Sequence, residues 1–210
     1  MSLLNAEWRP GFGTIVTWFA IDKAGKIAVM VNNCYGELPR ILLSTENVEA
    51  LLDKMSEFMW DESSEFLSDT PNKQGELKVD LYSAWRYGHL QSKDSVVEHL
   101  EFDLAESASY AEANLSVNKG FFVYHGVEGD NEGADYPVGY SGKSGMGDYF
   151  RYLVPTKFAN VNDIPEALHC VLVKSDSFDF ANDQLLRNDE VERHFYQMFS
   201  SWTNEKRGQI

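Results

Sequence analysis

The sequence predicts an α+β fold, a single domain over residues 1–210 in which helices pack on a mainly antiparallel sheet. Two observations carry this prediction. Short runs rich in β-branched and aromatic residues recur between turn signals, and a long segment between them places apolar residues at helical spacing. With 210 residues, of which 43% are hydrophobic, the chain is long enough to bury a sizeable core.

The first predicted element is a β-hairpin over residues 14–32, TIVTWFAIDKAGKIAVMVN. Two apolar runs flank the sequence DKAG, in which Gly25 can adopt the positive φ that a tight reversal requires. We place this hairpin near the middle of the sheet. Pro39 then ends the strand ladder, because proline has no amide hydrogen to donate.

A helix is predicted over residues 46–60, because the apolar residues there recur on one helical face. They are Val48, Leu51, Leu52, Met55, Phe58 and Met59. The opposite face carries four carboxylates, Glu49, Asp53, Glu57 and Asp61. Once the apolar stripe packs on the sheet, we expect these four side chains to project together into solvent.

The middle of the chain mixes ambiguous and clear signals. Residues 77–90, LKVDLYSAWRYGHL, leave strand and helix open, whereas the acidic stretch to about Asn114 is predicted to be partly helical. Ser95 and Glu98 have the spacing of a capping box at its start. After Gly120, FFVYH predicts a buried strand, and YFRYLVP at 149–155 is its predicted partner.

Residues 126–147 are rich in glycine and have no periodicity, which predicts a long flexible loop between those two strands. Beyond it, Asp163 and Pro165 indicate the start of a short helix. A strand is predicted around SFDF at 177–180. The chain ends with a helix predicted over about residues 189–202, where one apolar stripe runs from Val191 to Trp202.

Motifs for catalysis or cofactor binding are weak. Gly142-Lys143-Ser144 ends like a phosphate-binding loop, but the required earlier glycine is replaced by Pro137 and no helix is predicted after Ser144. We therefore expect no bound nucleotide. No histidine or cysteine has another at metal-ligand spacing, so we expect no metal ion, and no other cofactor is indicated. No serine has the surroundings of a nucleophile elbow, so we assign no catalytic residue.

His125 is the one alternative site. It ends the FFVYH strand beside the glycine-rich loop, where an imidazole that titrates near neutral pH is suited to act as a base. No carboxylate partner for it is identifiable in the sequence. A histidine at a strand end, half in solvent and without a catalytic role, is the other interpretation.

The charge balance favours a basic partner. The formal net charge is −15, so nucleic acid and anionic membrane surfaces are expected to be repelled. Residues 46–69 contain eight acidic residues and one basic residue, and residues 94–112 contain six acidic residues and no Lys or Arg. The absence of a long apolar run predicts no membrane association and a cytoplasmic location. Cys34 and Cys170 leave a single disulfide open.

Six short segments in order resemble a family of uncharacterised bacterial proteins. They are TWFAIDKAGKIAVMVN, GELP, GFFVYH, YFRYLVP, NVNDIPEAL and FDFAN, and the resemblance covers about residues 14–182. The chain departs from the family in the long loop at 126–147 and in the added segment after Arg187. Small acidic bacterial proteins of this kind are similar to the immunity partners of secreted toxins, so the resemblance implies a protein of the immunity type.

Two functions are therefore predicted. The leading one is a non-enzymatic acidic binding protein, of immunity or regulatory type, which holds a basic protein through Glu49, Asp53, Glu57 and Asp61. The alternative is a hydrolase or small-ligand enzyme with a pocket near His125 and the 126–147 loop. The sequence predicts neither the partner's identity nor the oligomeric state.

Overall fold

The computed structural model describes residues 4–90 and 92–200, and its fold belongs to the predicted α+β class. The strands are β1 (Thr17–Ile21), β2 (Ile27–Val31), β3 (Tyr82–Ser83), β4 (Phe122–Gly126), β5 (Pro137–Val138), β6 (Tyr149–Leu153), β7 (Val173–Lys174), β8 (Leu185–Leu186) and β9 (Gln197–Met198). The α-helices are α1 (Arg40–Leu43), α2 (Val48–Met59), α3 (Lys93–Ser107), α4 (Glu112–Val117) and α5 (Val191–His194). Turns of 3₁₀ helix lie at Leu67–Asp69, Ala108–Tyr110, Val161–Asp163, Glu166–Val171 and Asn188–Glu190.

Seven of these strands form one mixed sheet in the order β8-β6-β4-β2-β1-β7-β9. The pairs β1–β2, β4–β6, β6–β8 and β7–β9 are antiparallel, whereas β1–β7 and β2–β4 are parallel. Parallel neighbours require a long crossover connection, and α1 to α4 lie in the connection between β2 and β4. The sheet, predicted as mainly antiparallel, is therefore mixed: four of its strand pairs are antiparallel and two are parallel.

The predicted hairpin is confirmed as β1 and β2, which lie side by side in the middle of the sheet. Asp22 closes the turn, because its Oδ1 accepts hydrogen bonds from the amides of Ala24 at 2.8 Å and Lys26 at 2.9 Å. Gly25 adopts a φ of 78°, the left-handed region in which glycine is unstrained. The turn thus depends on both a short acidic side chain and a glycine.

The helix predicted over residues 46–60 is confirmed as α2. Its buried side chains are Val48, Leu52, Met55, Phe58 and Met59, and the helix contacts β1 and the 3₁₀ turns at Glu166–Val171. The strands predicted at FFVYH and YFRYLVP are also confirmed, as β4 and β6, and every residue of both is buried. These elements supply the centre of the hydrophobic core.

The strand predicted at 177–180 is wrong. The strand in this region is β7, and residues 177–180 leave the sheet in a turn. Phe178 and Phe180 are nevertheless buried, with ring centroids 5.7 Å and 6.3 Å from that of Phe195. Alternating burial of two aromatic rings therefore arose here from packing between side chains rather than from a strand.

The helix predicted over about residues 189–202 is confirmed only at its start, at Val191–His194, and its predicted length is wrong. Helix α5 ends at His194, and Phe195 has φ −123° and ψ 68°, which are not helical. The chain then forms β9, which pairs with β7 at the edge of the sheet. Trp202, the end of the predicted stripe, lies outside the described residues.

The ambiguous and loop segments meet in a second, two-stranded sheet. Residues 77–90 form β3 followed by turns, and β3 pairs with β5, which lies inside the 126–147 segment.

Cys34 is half-buried and Cys170 exposed, and both are free thiols. None of the helices in the described part of the chain is long and apolar enough to cross a bilayer.

Candidate functional site

The acidic face predicted on α2 is only partly open. Asp53 and Glu57 are both exposed and lie four residues apart, so they stand on the same side of the helix. Glu49 is half-buried, and its Oε1 accepts a hydrogen bond from the backbone amide of Leu4 at 2.7 Å. Glu49 therefore ties the N-terminal segment to the helix.

Asp61 lies beyond the end of α2, with a φ of 60° that turns the chain away from the helix axis. Its carboxylate pairs with the ammonium of Lys119, whose side chain is only 1% exposed. A buried ammonium requires a counter-charge, so Asp61 has a structural partner. The expectation that all four carboxylates project freely is therefore wrong for Glu49 and Asp61 and correct for Asp53 and Glu57.

Helix α3 carries a second acidic surface, which the sequence indicated only as an acidic run. Ser92 caps the helix, because its Oγ accepts a hydrogen bond from the amide of Ser95 at 3.2 Å. The predicted capping box at Ser95 and Glu98 is thus wrong by one turn. Val96 and Leu100 are the buried side chains of this helix, which leaves most of its circumference in solvent.

An exposed aromatic ring lies between carboxylates on that outer side. Glu98, Phe102 and Glu106 follow one another at four-residue spacing and so stand in one line along the helix; we name these three residues the α3 row. Phe102 is 67% exposed and both glutamates are exposed. The signal was present in the sequence, since Phe102 is out of phase with the stripe of Val96 and Leu100.

His125 was predicted at the border of strand and loop, and the structure buries it to 3% exposure on β4. Its Nε2 lies 2.5 Å from Oε1 of Glu112, in the first turn of α4. Oε2 of Glu112 lies 2.9 Å from Nη1 of Arg86, in the turn after β3. The carboxylate of Glu112 therefore lies between the imidazole of His125 and the guanidinium of Arg86.

The electrostatics of this site follow from burial and from the paired charges. Burial alone would raise the pKa of Glu112, but the neighbouring His125 and Arg86 outweigh it and lower that pKa to about 2. Burial opposes the charged form of Arg86 as well, yet Glu112 raises the pKa of the guanidinium above its ordinary value. Glu112 is therefore ionised across the physiological range and compensates the cationic Arg86.

Two tyrosines border the site, Tyr152 on β6 and Tyr87 in the turn after β3. The ring of Tyr152 lies 4.8 Å from the imidazole of His125, centroid to centroid, and its hydroxyl is hydrogen-bonded to that of Tyr87. Burial raises the pKa of both tyrosines. We name these five residues the His125 cluster: Arg86, Tyr87, Glu112, His125 and Tyr152.

The His125 cluster resembles a structural charge network, buried except at the half-exposed Arg86, more than an open catalytic centre. A general base must come within hydrogen-bond distance of its substrate, whereas Nε2 of His125 already faces Glu112 beneath aromatic rings. The sequence could not identify Glu112 as the partner, because only the packing of α4 on β4 brings the two together. In the described residues, no three His, Cys, Asp or Glu side chains converge as metal ligands.

Asp135 fixes the first half of the neighbouring 126–147 segment through hydrogen bonds. This buried carboxylate accepts hydrogen bonds from Ser83 Oγ at 2.8 Å and from the amides of Trp85 and Glu128 at 3.0 Å each. Further on, Ser144 is followed by a turn and β6 rather than by a helix. The Gly-Lys-Ser sequence therefore lacks the helix N-terminus that would hold a phosphate.

Comparison of the chain with protein-family models, with curated proteins and with solved structures finds no match. The family resemblance inferred from the six sequence segments stays a prediction. Function must accordingly be argued from the geometry of the two regions described above.

Proposed function

We propose that this protein is a non-enzymatic binding protein that holds a basic protein partner through its acidic helices. The observation that carries the proposal is the α3 row, in which an exposed phenyl ring stands between two exposed carboxylates. Asp53 and Glu57 on α2 provide a second, smaller acidic surface. The proposal places this binding in the cytoplasm of a bacterial cell, on the basis of the sequence resemblance and the lack of a long apolar run in the sequence.

The carboxylates of α3 are available to an external cation. Among the ion pairs of the described residues, none includes Glu98, Glu101 or Glu106. With a net charge of −15, the whole molecule adds a long-range field of the same sign. Such a field accelerates association with a cationic surface and weakens as salt is added.

Phe102 gives the acidic surface an anchor. Large aromatic side chains at the centre of an interface, surrounded by polar groups that exclude water, supply much of the binding free energy. A phenyl ring that is 67% exposed is a poor contributor to this protein's own core. We therefore expect the partner to offer an apolar pocket ringed by Lys and Arg.

The test begins with a partner captured by the complete chain from extracts of the source cells, followed by surface plasmon resonance. We expect a basic protein whose association rate falls steeply between about 50 and 150 mM salt. The triple variant Glu98→Lys, Glu101→Lys and Glu106→Lys should slow association by at least about tenfold. Its unfolding free energy should change by less than about 1 kcal/mol, because the three side chains are exposed.

A matched control reverses the same amount of charge elsewhere. Asp130, Glu132 and Glu166 are exposed and lie outside both acidic helices, so changing all three to Lys should slow association less than about threefold. Equal slowing by both triple variants would show a general effect of net charge and contradict a defined surface on α3. Tight binding that ignores salt and the α3 variant would exclude the acidic surface from the mechanism.

The predicted α2 face is tested by the double variant Asp53→Lys and Glu57→Lys, with a smaller expected effect than on α3. Glu49 is left unchanged, because its carboxylate holds the amide of Leu4. The immunity-type version of the proposal is supported by the sequence resemblance. It adds the expectation that the partner is toxic to cells and that co-expression of this chain protects them.

The alternative enzyme near His125 is supported less well. Glu112 supplies the carboxylate partner that the sequence lacked, but 3% exposure of His125 leaves a substrate little access. If the protein is a hydrolase that uses this imidazole, His125→Gln must abolish turnover while the fold survives.

A further inference from the structure

One edge of β1 is only partly covered by its neighbour in the sheet. Strand β7 pairs with β1 at Ala20 and Ile21, which lie at the end of β1. Beside residues 15–17, at the start of β1, the described chain places no strand on that side. A strand edge without a neighbour presents backbone N–H and C=O groups that another chain can pair with.

The backbone groups of Ile15 and Thr17 are the ones directed to this edge. Val16 bonds to the opposite side, toward β2, because its carbonyl accepts from the amide of Asn32 at 3.1 Å and its amide donates to Oδ1 of Asn32 at 2.7 Å. Backbone groups of successive residues in a strand alternate between the two sides. Ile15 and Thr17 therefore point away from β2, and no hydrogen bond joins their backbone to a described residue.

A groove of about 500 Å³ runs along the same edge, between residues 13–17 and helix α2. Its apolar lining residues are Leu4, Trp8, Ile15, Val16 and Leu52. The side chain of Ile15 is 65% exposed, so a molecule in the groove would cover it. Unpaired main-chain groups beside an apolar groove are the two features with which a sheet edge binds an extended peptide.

The rim of the groove is acidic. Asp53 lines it and is exposed, and Glu57 stands one turn further along the same side of α2. Neither carboxylate forms an ion pair with a described residue. Lys and Arg are absent from the described lining. The charge of the rim therefore favours a peptide that carries basic side chains.

We propose that an extended segment of a basic protein adds to this edge of β1 as a further strand. Its backbone pairs with Ile15 and Thr17, its apolar side chains face the groove, and alternate Lys or Arg side chains lie beside Asp53. The proposal rests on the proposed function, since the segment belongs to the basic partner, and it adds the form in which that partner binds. A second copy of this chain is a poorer occupant, because two molecules of charge −15 repel each other.

The test uses the complete protein and a synthetic peptide, acetyl-Lys-Val-Lys-Val-Lys-Val-Lys-amide, with amide hydrogen exchange followed by NMR. We expect saturating peptide to slow exchange at Ile15 and Thr17 by at least about tenfold, because both amides gain an acceptor. The amide of Val16 is the internal control. It already donates to Asn32, so its exchange should change by less than about twofold.

Three changes separate backbone pairing from charge. Asp53→Lys should weaken peptide binding by at least about threefold, whereas Glu132→Lys, an exposed change outside the groove, should weaken it by less than about 1.5-fold. Ile15→Pro removes one N–H group from the edge and should weaken binding by at least about threefold. If Ile15→Pro fails to fold, a fully N-methylated form of the peptide removes the hydrogen bonds from the ligand instead, and it should not slow exchange.

The proposal is overturned if the peptide leaves exchange at Ile15 and Thr17 unchanged, or if its N-methylated form or an acidic analogue with Glu in place of Lys protects them equally. Protection without peptide would also overturn it. A dependence of that protection on protein concentration would assign the edge to a second copy, and no dependence would assign it to the chain itself. The proposed function is judged separately, by the effect of the α3 triple variant on a captured partner.

Discussion

Glu106 and Glu112 belong to one acidic run of the sequence, yet they lie in opposite environments. Glu106 is exposed on α3 without an ion pair to any described residue, whereas Glu112 on α4 lies between His125 and Arg86 with its side chain 18% exposed. The first adds to the surface potential, and the second balances the charge of Arg86. Composition therefore locates acidity along a chain, but packing decides whether a carboxylate faces a partner or the interior.

The largest expected effect comes from removing the buried charge. Glu112→Gln removes the carboxylate that pairs with Arg86 and contacts His125. Because the side chain of Arg86 is 44% exposed, we expect a cost of about 2–3 kcal/mol, between that of an exposed and that of a fully buried pair. Urea unfolding at pH 7 measures this cost, with Glu106→Gln as the matched exposed change, expected within about 0.5 kcal/mol. Equal effects of the two changes would contradict the difference drawn between these carboxylates.

Lowering the pH should also distinguish Glu112 from Glu106, with a smaller expected change in unfolding free energy. The pKa of Glu112 falls from 4.5 to about 2 on folding. Its stabilising contribution is therefore complete above pH 4.5 and is lost as the pH falls toward 2. Between pH 5 and 2.5 we expect the chain to lose about 2 kcal/mol through this group. The Glu112→Gln variant should lose about that much less stability over the same pH range. If the unfolding free energies of both proteins fall equally with pH, the carboxyl of Glu112 does not have the lowered pKa described here.

The smallest effect on stability is expected at the exposed aromatic ring. Phe102→Ser removes a side chain that is 67% exposed, so the unfolding free energy should change by less than about 0.5 kcal/mol. The same change should accelerate dissociation of a bound partner, because it removes the proposed anchor. A loss of stability above about 2 kcal/mol would instead place Phe102 in the core and remove the α3 row from the proposal.

Local patterns predicted the elements whose signals are local. The β1–β2 hairpin, α2, β4 and β6 were found because alternation, helical period and turn residues lie within each segment. The apolar spacing from Val191 onward fits a helix equally well, but β9 forms there because an open edge of β7 is available. Parallel pairing of β2 with β4 was missing from the prediction for the same reason, since no local signal reports a distant neighbour.

The candidate sites show the same limit. His125 was identified by its place at the end of a strand, while its burial and its contacts with Glu112 and Arg86 depend on how three elements pack. Asp61 seemed to continue the acidic face of α2 until the chain turned and paired it with Lys119. Phe102 was not predicted as a site residue, but its position on the side of α3 away from Val96 and Leu100 can be derived from sequence spacing alone.

The order of the central strands also has a consequence for how the chain folds. The β1–β2 hairpin is flanked by β7 on one side and β4 on the other, and both flanking strands come much later in the chain. The hairpin can form early, but its two edges stay unpaired until β4 and β7 are synthesised and pair with it. This pairing is slow, because the entropy cost of closing the long connections comes before the stabilising strand contacts form. During synthesis, the nascent hairpin therefore presents two edges of unpaired backbone N–H and C=O groups to other chains, and aggregation should be most severe for products truncated before β4.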